Sequence, residues 1–231
     1  MSNPQLTYTG ADVLETLDRA INYNSLLLDL ILESSGNCSR MLDFGAGIGT
    51  FAKLLRNRGV DVVCVEPDAV MAYGLVRDGF LTYNDLDEVA DGSFDFIFTL
   101  NVLEHIEDDQ TSFCRLCAKL AKGGRLLIYV PAFECLWTSL DERLKHYRRY
   151  RRRDLEELAH SAGLTVRKTR YADAMGFFAA LGFRLFGNRS GHLSPEAVNF
   201  YDCYIVPVSR SLNILFGRFL GKNVYLIATK D

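Results

Sequence analysis

The sequence predicts a doubly wound α/β fold: a seven-stranded, mostly parallel sheet with helices on both faces and a helical insertion between its last two strands. Three observations carry that expectation. Short apolar runs at 40–44, 60–65, 94–100 and 125–130 lack the alternation of half-buried strands, as a sheet covered on both faces requires. Each run is separated from the next by enough chain for a helix, the alternation of βαβ units. A glycine-rich turn then joins the first run to a helix, where such sheets bind ligands.

Taken in order, residues 11–33 place Val13, Leu14, Leu17, Ile21, Leu28 and Ile31 at helical spacings, predicting one leading amphipathic helix or two. The four apolar runs follow, with a short strand before Asn84 between the second and third. Beyond Pro131 the chain reads as a loop, a basic run, and a helix from about 153 to 161 that Gly163 terminates. Strands are expected at 164–171 and 224–229. Between them, residues 172–221 carry only seven formally charged side chains among clusters of Phe, Leu and Tyr. A connection of that length has structure of its own, read here as helices over the sheet edge.

With 231 residues, 48% of them hydrophobic and 24% charged, the chain is long enough for one well-built core. Its net charge of −3 argues against binding a polyanion by bulk electrostatics. Cys38, Cys64, Cys114, Cys117, Cys135 and Cys203 form no disulfide framework, so a reducing, cytoplasmic compartment is expected. Residues 1–10 lack the pattern of a secretory signal. The longest apolar stretch, ten residues from Ala174 to Phe183, falls short of the roughly 20 that a bilayer helix needs. Cys114 and Cys117 lack the further partners of a zinc site, and no metal is expected.

The turn reads Asp43-Phe44-Gly45-Ala46-Gly47-Ile48-Gly49-Thr50. Its glycines let a ligand approach the main chain, but Thr50 breaks the Gly-x-Gly-x-x-Gly pattern of pyrophosphate binding. Glu66 closes the second strand 21 residues after Gly45, where a carboxylate can hold both hydroxyls of a ribose. With Asp43 it makes an acidic collar that favours a cationic cofactor over a phosphorylated one. A sulfonium fits.

These features resemble the class I S-adenosylmethionine-dependent methyltransferases from about Met41 to Val130. The resemblance implies a Rossmann-like sheet, S-adenosyl-L-methionine as cofactor and S-adenosyl-L-homocysteine as product. Residues 42–49 resemble the first motif, with Asp43, Gly45, Ala46 and Gly47 around the methionine portion. Val63-Cys64-Val65-Glu66-Pro67-Asp68 resembles the second, with Glu66 on the ribose and Pro67 beside it. Asn84-Asp85-Leu86 resembles the adenine site, where Asp85 would accept from the amino group and the Leu86 amide would donate. Asp87 and Glu88 are the neighbouring alternatives. Asn101-Val102-Leu103-Glu104-His105-Ile106 resembles the turn beneath the methionine, bringing in Asn101 and Val102, and His105 either orients that turn or touches substrate. The implied layout is a single methyltransferase domain over 1–231. A helical cap spans 1–37, the core 38–171 and 222–231, and the insertion 172–221.

Past the fifth strand, Val130-Pro131-Ala132, Leu136-Trp137, Asp141 and His146-Tyr147-Arg148-Arg149-Tyr150 are similar to a bacterial methyltransferase subgroup often seen beside genes for glycan or lipid-carrier assembly. Oxygen of a small-molecule or lipid-linked acceptor is the implied target. Removing a phenol proton with a histidine is uphill by about 3.5 pKa units, or about 4.8 kcal/mol. Asp141 would steady His146 as that charge forms. An acceptor already ionised needs no base, and Arg148 or Arg149 would hold it. The same arginines also read as a solvated run beside acidic residues. Phe133 and Trp137 wall the acceptor or pack the loop. The insertion's apolar face has three outlets: the core, a second copy in a homodimer, or an apolar substrate or peripheral membrane contact. The alternatives to an O-methyltransferase are a non-catalytic cofactor-binding or partner protein, and a nucleic-acid methyltransferase. The latter is disfavoured by Leu100-Asn101-Val102-Leu103 where such enzymes carry a Pro-Pro-Tyr motif.

Overall fold

Apolar strands without alternation must be covered on both faces, and the computed structural model supplies that cover. It describes residues 10–186 and 194–231; the reading of residues 1–9 lies outside the described residues. The strands are β1 (Met41–Phe44), β2 (Val62–Val65), β3 (Thr82–Tyr83), β4 (Phe94–Leu100), β5 (Leu120–Pro131), β6 (Leu164–Ala172) and β7 (Asn223–Lys230). They form one sheet in the order β3-β2-β1-β4-β5-β7-β6. β1 to β5 pair in parallel, while β7 runs antiparallel to β5 and β6.

The helices are α1 (Ala11–Asp18), α2 (Ile21–Ser35), α3 (Thr50–Arg56), α4 (Ala69–Arg77), α5 (Asp109–Lys119), α6 (Ser139–Arg143), α7 (Arg152–Ser161), α8 (Ala174–Phe186), α9 (Pro195–Phe200) and α10 (Val206–Phe216). On one face Leu27 and Ile31 of α2, Leu55 of α3 and Leu75 of α4 pack on Met41, Phe96, Phe98 and Leu127. On the other, Phe113 and Leu116 of α5 and Leu155 and Ala159 of α7 pack on Leu42, Ile97, Leu126 and Ile128. Each large apolar side chain buried this way contributes about 1.5–3 kcal/mol.

Two local readings change. β5 begins at Leu120 rather than 125, because a register shift against β4 together with left-handed Gly123 (φ 77°) carries the chain past the glycine pair without ending the strand. The loop after Pro131 contains α6, nucleated by a capping box in which the Thr138 amide and hydroxyl both donate to Asp141 Oδ2, at 2.8 and 3.0 Å.

The insertion is helical, comprising α8, α9, a π-turn over Tyr201–Ile205, and α10. Two buried aspartates anchor it. Asp173 accepts from Tyr201 Oη at 2.6 Å, Ser209 Oγ at 2.8 Å and the Gly176 amide at 3.0 Å. Asp202 accepts from the Asn22 and Tyr23 amides at 3.0 and 2.8 Å, satisfying two orphan donors in the first turn of α2. The leading helices and the insertion therefore meet. Phe178, Leu185, Phe200, Tyr204, Ile214 and Leu215 stay exposed on the insertion, so the described core does not bury all of its apolar surface. Among the described residues no helix is long and apolar enough to cross a membrane.

Candidate functional site

The strand order reverses at β1, which pairs with β2 on one side and β4 on the other. The carboxyl ends of these strands open a crevice where ligands of doubly wound sheets bind. From β1 comes the glycine turn, with Gly45, Gly47 and Gly49 at φ 79°, 57° and 83°. A Cβ on Gly45 would lie 2.4 Å from Val102 Cγ2, because the turn after β4 packs directly on the turn after β1. Ala46 is half-buried between these glycines, and its amide and that of Gly45 donate to the Val65 carbonyl at 3.2 and 2.9 Å. Gly45→Ala is expected to cost more stability than Gly59→Ala, which shares the left-handed backbone (φ 76°) but has nothing within 4 Å of its added carbon. Both bear a backbone penalty of about 1–2 kcal/mol; thermal melts of the two variants isolate the contact with Val102.

Glu66, at the end of β2, is buried. Its Oε2 accepts from the Gly47 amide at 2.7 Å and its Oε1 from the Asp68 amide at 2.9 Å. Burial raises its pKa against the pull of those two amides. Asp43 is buried beside it and is pushed up to about 8, by burial first and the Glu66 charge second. Pro67 is exposed, and Asp68 caps α4 through the Val70 and Met71 amides. A buried acidic pair beside left-handed glycines gains from a neighbouring positive charge, which favours the ionised form of Asp43, and so suits a cofactor bearing one; the S-adenosylmethionine chemistry fits the residues present.

Asp85 follows β3. It is exposed, caps a 3-10 turn over Leu86–Glu88 through the Asp87 amide at 2.9 Å, and pairs with Arg115 at 2.7 Å. Those bonds hold its pKa low, the Asp87 amide contributing most. Leu86 is buried beneath the turn, Asp87 also faces Arg115, and Glu88 receives the Asp85 amide. Asn101 follows β4 with φ 55°; its amide donates to the Tyr129 carbonyl at 2.7 Å and its Oδ1 accepts from Asn223 at 3.3 Å.

Three residues past Asn101 the chain forms a second polar cluster. The 3-10 turn Leu103–His105 presents Glu104, fully buried, with neither carboxylate oxygen hydrogen-bonded among the described residues. Burial pushes Glu104 up to about 8; the Asp141 charge adds to this and Arg149 opposes it. His105 shares its Nδ1 proton with the Leu144 carbonyl at 3.0 Å, and its ring meets that of His146 edge-on at 4.6 Å. Burial, then the His146 charge, lowers His105 to about 4, which keeps it neutral. Asp141, 1% exposed, receives His146 Nδ1 at 2.8 Å and both Nε and Nη2 of Arg149 at 2.9 and 2.8 Å.

The structure thus brings His146, Asp141 and Arg149 together, but the Arg149 fork is taken up by Asp141. Arg148 is engaged by Asp109 at 2.6 Å and by the Glu107 carbonyl. Among the described residues both guanidinium groups are thus engaged by protein partners, Arg149 in a buried setting and Arg148 in a half-buried one. Phe133 stacks on Tyr171 at 4.5 Å and meets Phe177 edge-on, which joins the loop to the insertion. Glu104 was the residue that sequence reasoning passed over. The signal was present: a carboxylate next to a histidine, inside an otherwise apolar run that directly follows a central strand.

A methyltransferase domain family model matches residues 13–169. The chain is 32% identical over 119 residues to a ubiquinone biosynthesis O-methyltransferase of Xanthomonas oryzae pv. oryzae, covering 47% of each chain. It is 30% identical over 139 residues to phosphoethanolamine N-methyltransferase 2 of Caenorhabditis elegans, 54% of this chain and 31% of that one. The chain spans only about half the length, or less, of these two curated relatives. Among solved structures, a SAM-dependent methyltransferase from Archaeoglobus fulgidus superposes with a TM-score of 0.59 at 16% identity, covering 90% of this chain and 94% of that one. Geranyl diphosphate C-methyltransferase of Streptomyces coelicolor A3(2) gives 0.62 at 15% identity, covering 90% and 76%. With the family model covering more than half of the residues, and the crevice built as described, the chain belongs to the methyltransferase domain family and carries the Rossmann-like fold of the S-adenosylmethionine-dependent methyltransferases.

Proposed function

We propose that this S-adenosylmethionine-dependent methyltransferase methylates an oxygen of a small-molecule or lipid-linked acceptor by in-line transfer. One observation carries the reading: Glu104 and His105 sit on the turn whose Val102 packs against Gly45 of the cofactor loop, and His146, its Nδ1 held by Asp141, comes within reach of both. Proton-removing chemistry therefore stands next to the place where the methyl group would be presented. The O-methyltransferase relative supports oxygen as the target. The apolar side chains exposed on the insertion support a greasy acceptor.

When bound, the cofactor supplies an electrophilic methyl on a sulfonium. In this reading Glu66 holds the ribose hydroxyls, Asp43, Ala46 and Gly47 border the methionine portion, and Asn101 and Val102 lie beneath it. Pro67 leads from Glu66 into α4, and Asp85 and Leu86 flank the adenine. His146, its Nδ1 fixed by Asp141, takes the acceptor hydroxyl proton at its other nitrogen. Holding acceptor and methyl in line is worth about 7–11 kcal/mol. Arg149 and Arg148 keep the base-bearing segment in place through Asp141 and Asp109.

The test is transfer from methyl-labelled S-adenosylmethionine into aqueous and lipid fractions of a cell extract, with the carbon-13 shift of the product methyl reporting the atom that received it. An O-methyl product is expected; an N- or C-methyl product, or none, refutes the reading. His146→Gln is expected to lower kcat by about 10²–10⁴-fold with cofactor affinity unchanged, the range for loss of a general base.

Cofactor uptake is also expected to depend on pH. Asp43, at about 8, is largely protonated at pH 7, and a neighbouring positive charge favours its ionised form. Binding therefore releases a proton, and affinity rises with pH up to about 8. Calorimetry in buffers of different ionisation enthalpy measures this. S-adenosylhomocysteine, lacking the sulfonium charge, is expected to show the smaller proton release.

A further inference from the structure

We propose that Glu104, His105 and His146 form a binding site for one divalent transition-metal ion of the zinc class. One ligand atom from each of the three lies within 4.8 Å of the other two. This keeps the cluster as the acceptor-activating group but replaces one step of that reading, since a His146 nitrogen that binds the ion is no longer the base; the use made of the ion rests on the O-methylation reading, though its binding does not.

Three features point to a built site. The first is Glu104: it is fully buried, and among the described residues neither carboxylate oxygen has a hydrogen-bond partner, an expensive arrangement that a cation would relieve. The second is the outer shell. His146 Nδ1 is held by Asp141 at 2.8 Å and His105 Nδ1 by the Leu144 carbonyl at 3.0 Å, the carboxylate and carbonyl contacts that orient metal-binding imidazoles. Those contacts assign the ligand role to Nε2 of each ring. The third is the support beneath: Arg149 and Thr138 fix Asp141.

Bonds near 2.1 Å put tetrahedral ligands about 3.4 Å apart, so side-chain movements of roughly 1 Å close the shell. Two imidazoles and one carboxylate favour zinc, cobalt or nickel over magnesium or calcium, which prefer all-oxygen shells. Three protein ligands leave a position for the acceptor oxygen. There the ion would lower the hydroxyl pKa, and the proton would leave to solvent instead of to His146.

The experiment uses the full chain, stripped with a chelator, without cofactor or acceptor. Zn2+ is titrated against a chromophoric chelator, Co2+ uptake is followed by its visible spectrum, and Mg2+ serves as the opposing probe. One equivalent of Zn2+ or Co2+ with nitrogen and oxygen ligation is expected. Glu104→Gln should weaken binding at least about tenfold, as even outer-shell losses do at such sites. The double variant His105→Asn/His146→Asn should abolish it, while Cys114→Ser should leave it unchanged. Thermal melts verify that each variant folds, and if one does not, the wild-type Co2+ spectrum decides the ligand set. No stoichiometric uptake, uptake of Mg2+ alone, thiolate ligation, or unchanged affinity in folded Glu104→Gln overturns the proposal. Uptake without methyl transfer would sink the proposed function and leave the site standing. Transfer without uptake would do the reverse.

Discussion

Asp141→Ala is expected to destabilise the protein by about 3–5 kcal/mol, the cost of stripping one partner from a buried ion pair. For a chain of this size that lowers the melting temperature by roughly 6–20 °C. The carboxylate is 1% exposed and accepts five hydrogen bonds, from His146, twice from Arg149, and from the amide and hydroxyl of Thr138. Burial alone would raise its pKa, but His146, Arg149 and the Thr138 amide together hold it well below the ordinary carboxylate range. Because the folded value is depressed, the contribution is complete above the unfolded pKa of about 3.9 and is lost only as pH falls below it. Removing the carboxylate leaves the buried Arg149 guanidinium with the Ala132 carbonyl, at 3.2 Å, as its remaining side-chain hydrogen-bond partner among the described residues, and uncaps α6. Arg149→Met placed on Asp141→Ala should recover part of the loss by removing the stranded charge. A single variant within 1 kcal/mol of wild type by denaturant unfolding would contradict this account.

Glu66→Ala is expected to weaken S-adenosylmethionine binding about 100-fold or more. A buried carboxylate on two ribose hydroxyls makes charge-assisted hydrogen bonds worth about 1.5–3 kcal/mol each. The side chain also ties the glycine turn to the start of α4 through the Gly47 and Asp68 amides, so part of the loss comes from a looser turn. Glu66→Gln separates the two contributions, since an amide oxygen still accepts from one of these N–H groups while the charge is gone. Titration calorimetry with cofactor is the measurement, and unchanged affinity in the alanine variant removes the assigned role.

Some of this architecture was written in local pattern. The glycine turn and the non-alternating strands announce themselves because left-handed backbone and double-sided burial each demand particular residue types. Residues 41–44 and 62–65 become neighbouring parallel strands as their composition implies, and that pairing sets Glu66 against Gly47. Asp141 and His146 could be linked from sequence because they are five residues apart across a short turn. The destination of Arg149 could not. A basic run looks the same whether its members face solvent, an anionic acceptor or a buried aspartate, and only packing chose the last for Arg149 and Asp109 for its neighbour. Asp85 shows the same limit from the opposite side, its carboxylate facing Arg115, 30 positions away.

Sequence by itself determined the sheet, the glycine turn and the carboxylate opposite it, since these rest on backbone geometry and on spacings within one βαβ unit. Tertiary structure decided which of many polar residues meet. Glu104, His105 and His146 come from segments 41 residues apart and converge because the loop after β5 folds back over the turn after β4. No periodicity encodes such a convergence. It follows from burial, which brings distant segments together and leaves the Glu104 carboxylate without a hydrogen-bond partner among the described residues.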